Sequence, residues 1–266
     1  MAFDLDDLIT CLRDGSNLDI GYHRVFGGQI LAQTLLAAAA ASPDKRVKSM
    51  HTMFPREGDA AKRLDYEVTP LQSGRTFGTT EVIVSQNEKV VSASLVSMHA
   101  EEGGLIRTSP LPEHGAPEDA TLTDLGMVPW ETRIVGGVDL GDRAVGPPTL
   151  EWWMRTPPLD QDDLALHQAL LAHATDLTTI GTALRPLSGV SQADSTVTIQ
   201  TAVTSHTLWF HLPFRIDDWL LVIQRAPVVA RGRCWGHGDI YAESTGALVA
   251  SFAQEAMVRQ IEPPPS

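Results

Sequence analysis

Cysteine is nearly absent from this sequence, which has only Cys11 and Cys234 in 266 residues and no C-x-x-C pair. A disulfide framework and a cysteine-based zinc site are therefore excluded. The nine histidines include no H-E-x-x-H motif and no other ligand spacing. We predict that the chain binds no metal.

Basic residues are scarce relative to acidic ones. Twenty lysines and arginines stand against 33 aspartates and glutamates, which gives a formal net charge of -13. Nucleic acid and an anionic membrane both require a basic face, so neither is expected as the main partner. A small anionic ligand remains compatible with this charge, because a local basic patch is enough to bind it.

Long apolar runs are also missing. No run approaches the roughly 18 residues that a membrane-spanning helix needs, so no membrane span is expected. The first residues, MAFDLDDLIT, are acidic and lack the basic region of a signal peptide, so we expect a cytoplasmic protein. What is present, 43% hydrophobic and 20% charged residues, is typical of a globular protein with one large domain or two of ordinary size.

Residues 163–177, DLALHQALLAHATDL, are predicted to form one buried helix. Apolar side chains cover more than half of its circumference, and Asp162 or Asp163 can cap its start. Asp176 falls in the last turn, on the face that it shares with Ala172 and His173. A carboxylate there is either a solvated helix end or a placed acid or base. The spacing alone favours the solvated helix end.

A second buried helix is predicted over residues 29–41, after the permissive turn at Gly27-Gly28. Gln29 and Gln33 lie four residues apart and hence on one face of this helix. A buried amide needs hydrogen-bond partners. We therefore expect both side chains to bond to neighbouring backbone in the interior.

After each of these helices the apolar period changes from 3.6 to 2, which is typical of β-strands. A long buried helix beside long strands predicts a sheet wrapped around the helix, and here this arrangement occurs twice. The predicted fold class is therefore α+β. The predicted strands cover residues 63–70, 76–87 and 90–100 in the first half, and 195–204, 206–214, 218–227, 229–242 and 247–259 in the second.

Residues 103–148 separate the two halves. They contain six of the 17 prolines and eight of the 21 glycines, a composition typical of turns and loops. We interpret this segment as a linker that is partly ordered near Trp130. The predicted organisation is an N-terminal repeat over residues 1–105, a linker over 106–149 and a C-terminal repeat over 150–262.

The last predicted strand carries one strongly polar side chain in an apolar row. Gln254 falls on the same face as Leu248, Ala250 and Phe252. Burying an amide without a partner costs about 1–3 kcal/mol, so Gln254 must bond to something. A buried carboxylate or an ordered water would serve, and so would neighbouring backbone.

Four separated segments of the chain resemble the acyl-CoA thioesterase II family. They are VFGGQILAQ near the start, HQALLAHATDL in the second long helix, TLWFHLPF, and GALVASFAQEAMVR at the end. The resemblance covers roughly residues 20–260, with the same order and similar spacing. It implies a double hotdog fold and the hydrolysis of acyl-CoA thioesters to a fatty acid and coenzyme A, without a cofactor.

The resemblance also implies which residues hold the attacking water. In this family an Asp, a Thr or Ser, and a Gln hold it. The Asp matches Asp176 and the Gln matches Gln254, whereas the hydroxyl position falls on Val203. Thr201 and Ser205 share the strand face of Val203, and Thr204 reaches it only if the strand bulges or its register shifts. We take Thr204 as the third predicted catalytic residue.

Two other functions remain open at this stage. A non-catalytic acyl-CoA binding protein would keep the pocket without the hydroxyl, which Val203 favours. An enoyl-CoA hydratase or dehydratase would need an Asp–His pair, which only Asp176 and His173 could supply. Two further histidines, His206 and His211, flank the aromatic pair in HTLWFH and are predicted to be structural.

The partners expected from the resemblance are an acyl-CoA substrate and further copies of the chain. Because the protein is acidic, the phosphates of coenzyme A need a local basic site. The candidates for that site are Arg56, Lys62 and Arg63.

Overall fold

The computed structural model describes residues 3–159 and 163–261. Its elements form two successive groups, and in each group two helices precede four consecutive strands. In chain order they are α1 (Leu5–Asp14), α2 (Gly27–Ala41), β1 (Arg46–Met53), β2 (Asp65–Ser73), β3 (Phe77–Gln86), β4 (Lys89–His99), β5 (Thr121–Leu122), β6 (Glu131–Ile134), β7 (Thr149–Arg155), α3 (Leu164–Thr175), α4 (Thr179–Leu184), β8 (Ile199–Phe210), β9 (Leu220–Ala230), β10 (Arg233–Ala242) and β11 (Ala247–Gln260).

One antiparallel sheet of eleven strands runs through the described part of the chain, in the order β2-β3-β4-β1-β8-β11-β10-β9-β7-β6-β5. The strands of the first half and those of the second half meet where β1 pairs with β8, for example Met50 opposite Leu208. Each half-sheet carries its own helices. The topology is the double hotdog arrangement of the predicted α+β class.

The core lies between the sheet and the two long helices, which pack directly against each other. Leu31 and Leu35 of α2 and Leu170 and Leu171 of α3 are fully buried. Burying each of these side chains stabilises the fold by about 1.5–3 kcal/mol. Gly28 permits the close approach of the helices, because a Cβ atom there would lie 2.3 Å from the backbone oxygen of His173.

Helix α3 is shorter than the sequence predicts. Asp163 caps its start by accepting a hydrogen bond from the Ala165 N–H at 3.0 Å, and Asp162 lies outside the described residues. The helix ends at Thr175, so the prediction of one helix through Leu177 was wrong at this end. Asp176 is the C-cap, in a three-residue break before α4. No glycine or proline marks the break in the sequence.

The expectation for the two glutamines of α2 is confirmed. The side-chain oxygen of Gln29 accepts from the Leu18 N–H at 3.0 Å. The amide of Gln33 donates to the backbone oxygens of Cys11 at 3.0 Å and Ser16 at 2.8 Å. These bonds fasten the N-terminal segment to the buried helix.

Two strand assignments differ from the prediction. β8 is one continuous strand, whereas residues 195–204 and 206–214 were predicted as two. β1 was not predicted, because its alternation of buried and exposed residues is interrupted by a bulge between Val47 and Ser49. Strand β1 matters to the fold because it joins the two half-sheets.

The segment predicted as a linker contains two short strands. β6 pairs with β7, and β5 pairs with β6, so this part of the chain extends one edge of the sheet. Before these strands, Leu105 and Ile106 are exposed. The boundaries at residues 105 and 149 stay a prediction. Among the described residues, no helix is both long and apolar enough to cross a membrane.

We predict that trypsin first cuts the native protein after Arg107, which lies in the exposed stretch between β4 and β5. The two fragments should remain associated, because the helix packing and the β1–β8 pairing both cross the cut. Gel electrophoresis would show two fragments that still elute together from a sizing column. Elution as separate fragments under native conditions would contradict a shared core.

Candidate active site

Asp176 lies at a cavity of about 590 Å³ between the two repeats. The cavity is lined by Phe26 and Gly27 at the start of α2, Phe54 after β1, and residues around the α3–α4 break. Only 5% of Asp176 is exposed to solvent. The predicted solvated helix end is therefore wrong, because the chain of the first repeat covers this end of α3.

The N-terminus of α2 holds the Asp176 carboxylate. The Gly28 N–H donates a hydrogen bond to it. The residue before the helix, Phe26, provides no side-chain cap. The free N–H groups and the positive end of the helix dipole favour a carboxylate at this place. At Gly27 a Cβ atom would lie 2.6 Å from Oδ2 of Asp176, so a side chain there would collide with the carboxylate.

Burial raises the pKa of Asp176 from 3.8 to about 7, and the hydrogen bond from Gly28 opposes this shift. A carboxyl group that titrates near neutral pH can accept a proton from water during a reaction. A strongly shifted pKa at a cavity is also a frequent mark of a functional site. Asp176 thus has the position and the proton affinity of a general base.

Gln254 meets Asp176 across the fold. Its amide nitrogen lies 3.3 Å from the backbone oxygen of Asp176 and 3.4 Å from Oδ1, and donates to both. Its side-chain oxygen has no hydrogen-bond partner among the described residues. The structure therefore brings together the two polar residues that the sequence singles out, although 78 positions separate them.

His206 is a third buried group beside this pair. Its Nδ1 lies 3.8 Å from Oδ1 of Asp176, and its Nε2 lies 3.2 Å from the hydroxyl of Thr175. The ring stacks on Phe252, and in the sheet His206 stands opposite Gln254. Sequence reasoning assigned His206 a structural role only. Its position opposite Gln254 shows that it faces the site, but this position follows from the register between β8 and β11, which the sequence does not reveal.

His173 does not pair with Asp176, although it lies one helical turn away. Its Nε2 donates to the backbone oxygen of Met127 at 2.7 Å, and its ring contacts the edge of Phe26. Burial lowers the pKa of His173 to about 4. The ring is thus a neutral packing element that ties the segment before β6 to α3.

Strand β8 bulges at Thr204. Ser205 pairs with Glu255 and Val203 pairs with the next residue, Ala256, so Thr204 has no partner on β11. Val203 and Thr204 both line the cavity beside Asp176, as does Thr201. The Thr204 hydroxyl, however, donates to the backbone oxygen of Glu255 at 3.0 Å. Thr204 thus lines the cavity, but its hydroxyl is hydrogen-bonded to the backbone of β11.

Of the three basic residues predicted to meet phosphates, Arg56 lines the cavity. Lys62 forms an ion pair with Asp59 at 2.5 Å, and Arg63 is exposed on the surface. Arg24 also lines the cavity and pairs with Glu57 at 2.7 Å. In the described part of the chain, no group of three or more metal-ligating side chains is found.

Comparison with known proteins matches both repeats to domains of one family, the acyl-CoA thioesterases. Residues 16–99 match the model of the acyl-CoA thioesterase N-terminal domain, and residues 108–258 match that of the C-terminal domain. Acyl-CoA thioesterase 2 of Haemophilus influenzae is 30% identical over 96% of this chain and 93% of its own length. A crystal structure of an acyl-CoA thioesterase II from Mycobacterium marinum is 30% identical, with a TM-score of 0.77 over 93% of each chain.

A second solved structure, a tesB protein from Mycobacterium avium subs paratuberculosis, is 27% identical. Its TM-score is 0.79 over 98% of this chain and 100% of that chain. The two domain models together cover most of the sequence, and the fold of these structures is shared over nearly its whole length. The chain belongs to the acyl-CoA thioesterase family.

Proposed function

We propose that this protein hydrolyses acyl-CoA thioesters to a free fatty acid and coenzyme A. The observation that carries the proposal is the buried carboxyl of Asp176, which titrates near pH 7 and is held against Gln254 at a cavity. Membership of the acyl-CoA thioesterase family supports the same reaction. No cofactor is needed, because a thioester is already activated toward attack by water.

The proposed reaction uses Asp176 as a general base. The carboxylate accepts a proton from a water molecule, and the water oxygen bonds to the thioester carbonyl carbon. The C–S bond then breaks, and the proton passes from Asp176 to the departing sulfur. The amide of Gln254 donates to Oδ1 at 3.4 Å, which fixes the plane of the carboxylate. A base held in one orientation contributes about 10²–10⁴-fold to the rate.

The direct test is the release of free thiol from acyl-CoAs of different chain lengths. Stoichiometric thiol release that is absent in the Asp176→Asn protein is the expected result. A protein that binds acyl-CoA but releases no thiol would instead be the non-catalytic alternative. The hydratase alternative loses the Asp176–His173 pair, since His173 is bonded to Met127. The buried His206, whose Nδ1 lies 3.8 Å from Oδ1 of Asp176, is the histidine that could replace His173. Water addition to an enoyl-CoA without thiol release would support the hydratase alternative.

Val203→Thr is predicted to raise the hydrolysis rate with little change in KM. Val203 lines the cavity, and threonine has nearly the same shape as valine. A hydroxyl there would give the reacting water one more fixed partner, worth about 5–150-fold in rate. Steady-state kinetics of the variant with one acyl-CoA measures the effect.

The matched controls for Val203→Thr are alanine variants of Thr201, Thr204 and Ser205. We keep Thr204 as the proposed third catalytic residue, since it lines the cavity at the bulge. If Val203→Thr has no effect and Thr204→Ala abolishes activity, Thr204 supplies the hydroxyl. If none of the four changes matters, Asp176 and Gln254 suffice and a third group is not used.

Three expectations accompany this proposal. Arg56 is proposed to face a phosphate of coenzyme A, because it lines the cavity and its side chain is exposed. A cytoplasmic location and association between copies of the chain are further proposals. Light scattering of the purified protein tests the association.

A further inference from the structure

The site contains two buried polar atoms that the proposed reaction does not use. They are Nδ1 of His206 and the side-chain oxygen of Gln254. Neither has a partner at full hydrogen-bond geometry within the described residues, although the Gln254 side chain lies close enough to favour the protonated His206 ring. His206 is completely buried and Gln254 is 1% exposed. Buried polar groups in proteins are nearly always paired, so two such atoms on directly opposite residues of β8 and β11 call for an explanation.

The surroundings of the His206 ring select one tautomer. Nδ1 faces acceptors, since Oδ1 of Asp176 lies 3.8 Å away and the amide oxygen of Gln254 belongs to the cross-strand neighbour. A lone pair on Nδ1 would be repelled by these oxygens, whereas an N–H there would be attracted. Nε2 then carries the lone pair. The Thr175 hydroxyl oxygen lies 3.2 Å from both Nε2 and the backbone oxygen of Ala172, and the hydroxyl can turn its single hydrogen to Nε2.

We propose that His206 is a positioning residue for the hydrolysis, with Thr175 fixing its tautomer. In this arrangement Nδ1–H donates to the side-chain oxygen of Gln254 and lies beside Oδ1 of Asp176, which is 3.8 Å from Nδ1. With its oxygen bound to that donor, the Gln254 amide keeps its NH₂ group turned toward Asp176. The inference rests on the proposed function, in which the orientation of these two groups matters.

Burial keeps the His206 ring neutral, because it lowers the pKa of His206 to about 3, with the Gln254 side chain acting in the opposite direction. A neutral ring carries one N–H, so the nitrogen that bears it decides whether a donor faces Asp176. An N–H donor beside a carboxylate favours the charged form and lowers the carboxyl pKa. His206 therefore opposes the effect of burial on Asp176.

The other groups around Asp176 provide the background for this effect. The Gly28 N–H of α2 also favours the charged form. His173 on α3 is neutral and turned to Met127. Across the cavity stand the Arg24–Glu57 ion pair, Arg56 and Tyr22. In the described part of the site, His206 is the imidazole whose nitrogen lies nearest the carboxylate.

Two substitutions distinguish the effect of the N–H donor of His206 from that of its aromatic ring. His206→Phe keeps an aromatic ring on Phe252 and removes the N–H, whereas His206→Asn places an amide N–H near the position of Nδ1. In His206→Phe we expect kcat to fall about 10-fold. KM should stay within about 2-fold, and the acid limb of the kcat/KM profile should move to higher pH. His206→Asn should keep the wild-type acid limb.

Thr175 provides an independent test of the route. Thr175→Val removes the hydroxyl that selects the tautomer, so the acid limb of its kcat/KM profile should also move to higher pH. Thr175→Ser keeps the hydroxyl and should show the wild-type acid limb. In the His206→Phe background, Thr175→Val should have no further effect, because residues that act through one another are not additive. His173→Gln, which keeps a donor toward Met127, should leave the profile unchanged.

Nitrogen NMR of histidine-labelled protein reads the tautomer without any assay of activity. The His206 signal, assigned by its loss in His206→Asn, should show a protonated Nδ1. Protonation at Nε2, or an unmoved acid limb in both His206→Phe and Thr175→Val, would overturn the inference. Should His206→Phe fail to fold, Thr175→Val and the NMR result decide alone. Absence of thiol release by the wild-type protein would instead contradict the proposed function.

Discussion

Asp176→Asn is expected to lower kcat for acyl-CoA hydrolysis by about 10²–10⁴-fold, the usual contribution of a positioned acid–base group. The amide has nearly the same shape as the carboxyl group but cannot accept a proton from water. Affinity for acyl-CoA should change little, since the rest of the cavity lining stays intact. Thiol release under single-turnover and steady-state conditions measures the loss, and inhibition by a non-hydrolysable thioether analogue measures the affinity.

The same substitution should increase stability, and the increase should depend on pH. The pKa of Asp176 is raised from 3.8 to about 7 on folding, so the folded state holds a proton that the unfolded state releases in this range. Wild-type stability therefore falls as pH rises from about 4 to about 7. Asparagine does not titrate. The Tm difference between Asp176→Asn and wild type should be larger at pH 8 than at pH 5.

Asp163→Asn is the matched control for this experiment. Asp163 caps the opposite end of the same helix, and asparagine is an equally good N-cap residue. This variant should keep full activity and nearly unchanged stability. Full activity of Asp176→Asn would mean that the buried carboxyl group only caps α2 and takes no part in catalysis.

The sequence identifies Asp176 and Gln254 because each interrupts an apolar pattern. A polar residue on a buried face must have a partner, and this argument needs no knowledge of the fold. That the two residues meet could be inferred only from the family resemblance. Periodicity describes each element alone, whereas the contact joins the end of α3 to the middle of β11.

The parts of the site that escaped prediction depend on long-range geometry. The N-terminus of α2 meets Asp176 from the other repeat, and no local pattern indicates that contact. The bulge at Thr204 depends on how β8 pairs with β11, so it changes which residues face the cavity without any mark in the sequence. For the same reason His206, opposite Gln254, was predicted to have a structural role only.

The two neighbouring glycines of α2 should separate activity from stability. In Gly27→Ala the new Cβ would lie 2.6 Å from Oδ2 of Asp176, which is the far end of a side chain that can rotate away. The fold should therefore tolerate the change. The carboxylate should lose the Gly28 N–H and its alignment with Gln254, and we expect kcat to fall about 10²-fold because a misplaced catalytic group costs about that much.

Gly28→Ala should instead destabilise the fold. Its Cβ would lie 2.3 Å from the backbone oxygen of His173, and that atom cannot move without shifting α3 away from α2. Overpacking of this kind costs about 1–3 kcal/mol, and Tm should fall by roughly 2–10 °C. Thermal unfolding followed by circular dichroism measures the change.

Gly103→Ala is the control for both glycine variants, because no heavy atom lies within 4 Å of a Cβ built at this position. It should change neither kcat nor Tm. Gly27→Ala with wild-type activity would mean that catalysis does not depend on where the start of α2 holds Asp176. Gly28→Ala with wild-type Tm would mean that the two long helices can separate at no cost. Either result would contradict the explanation that glycine is required at that position by the close approach of the two repeats.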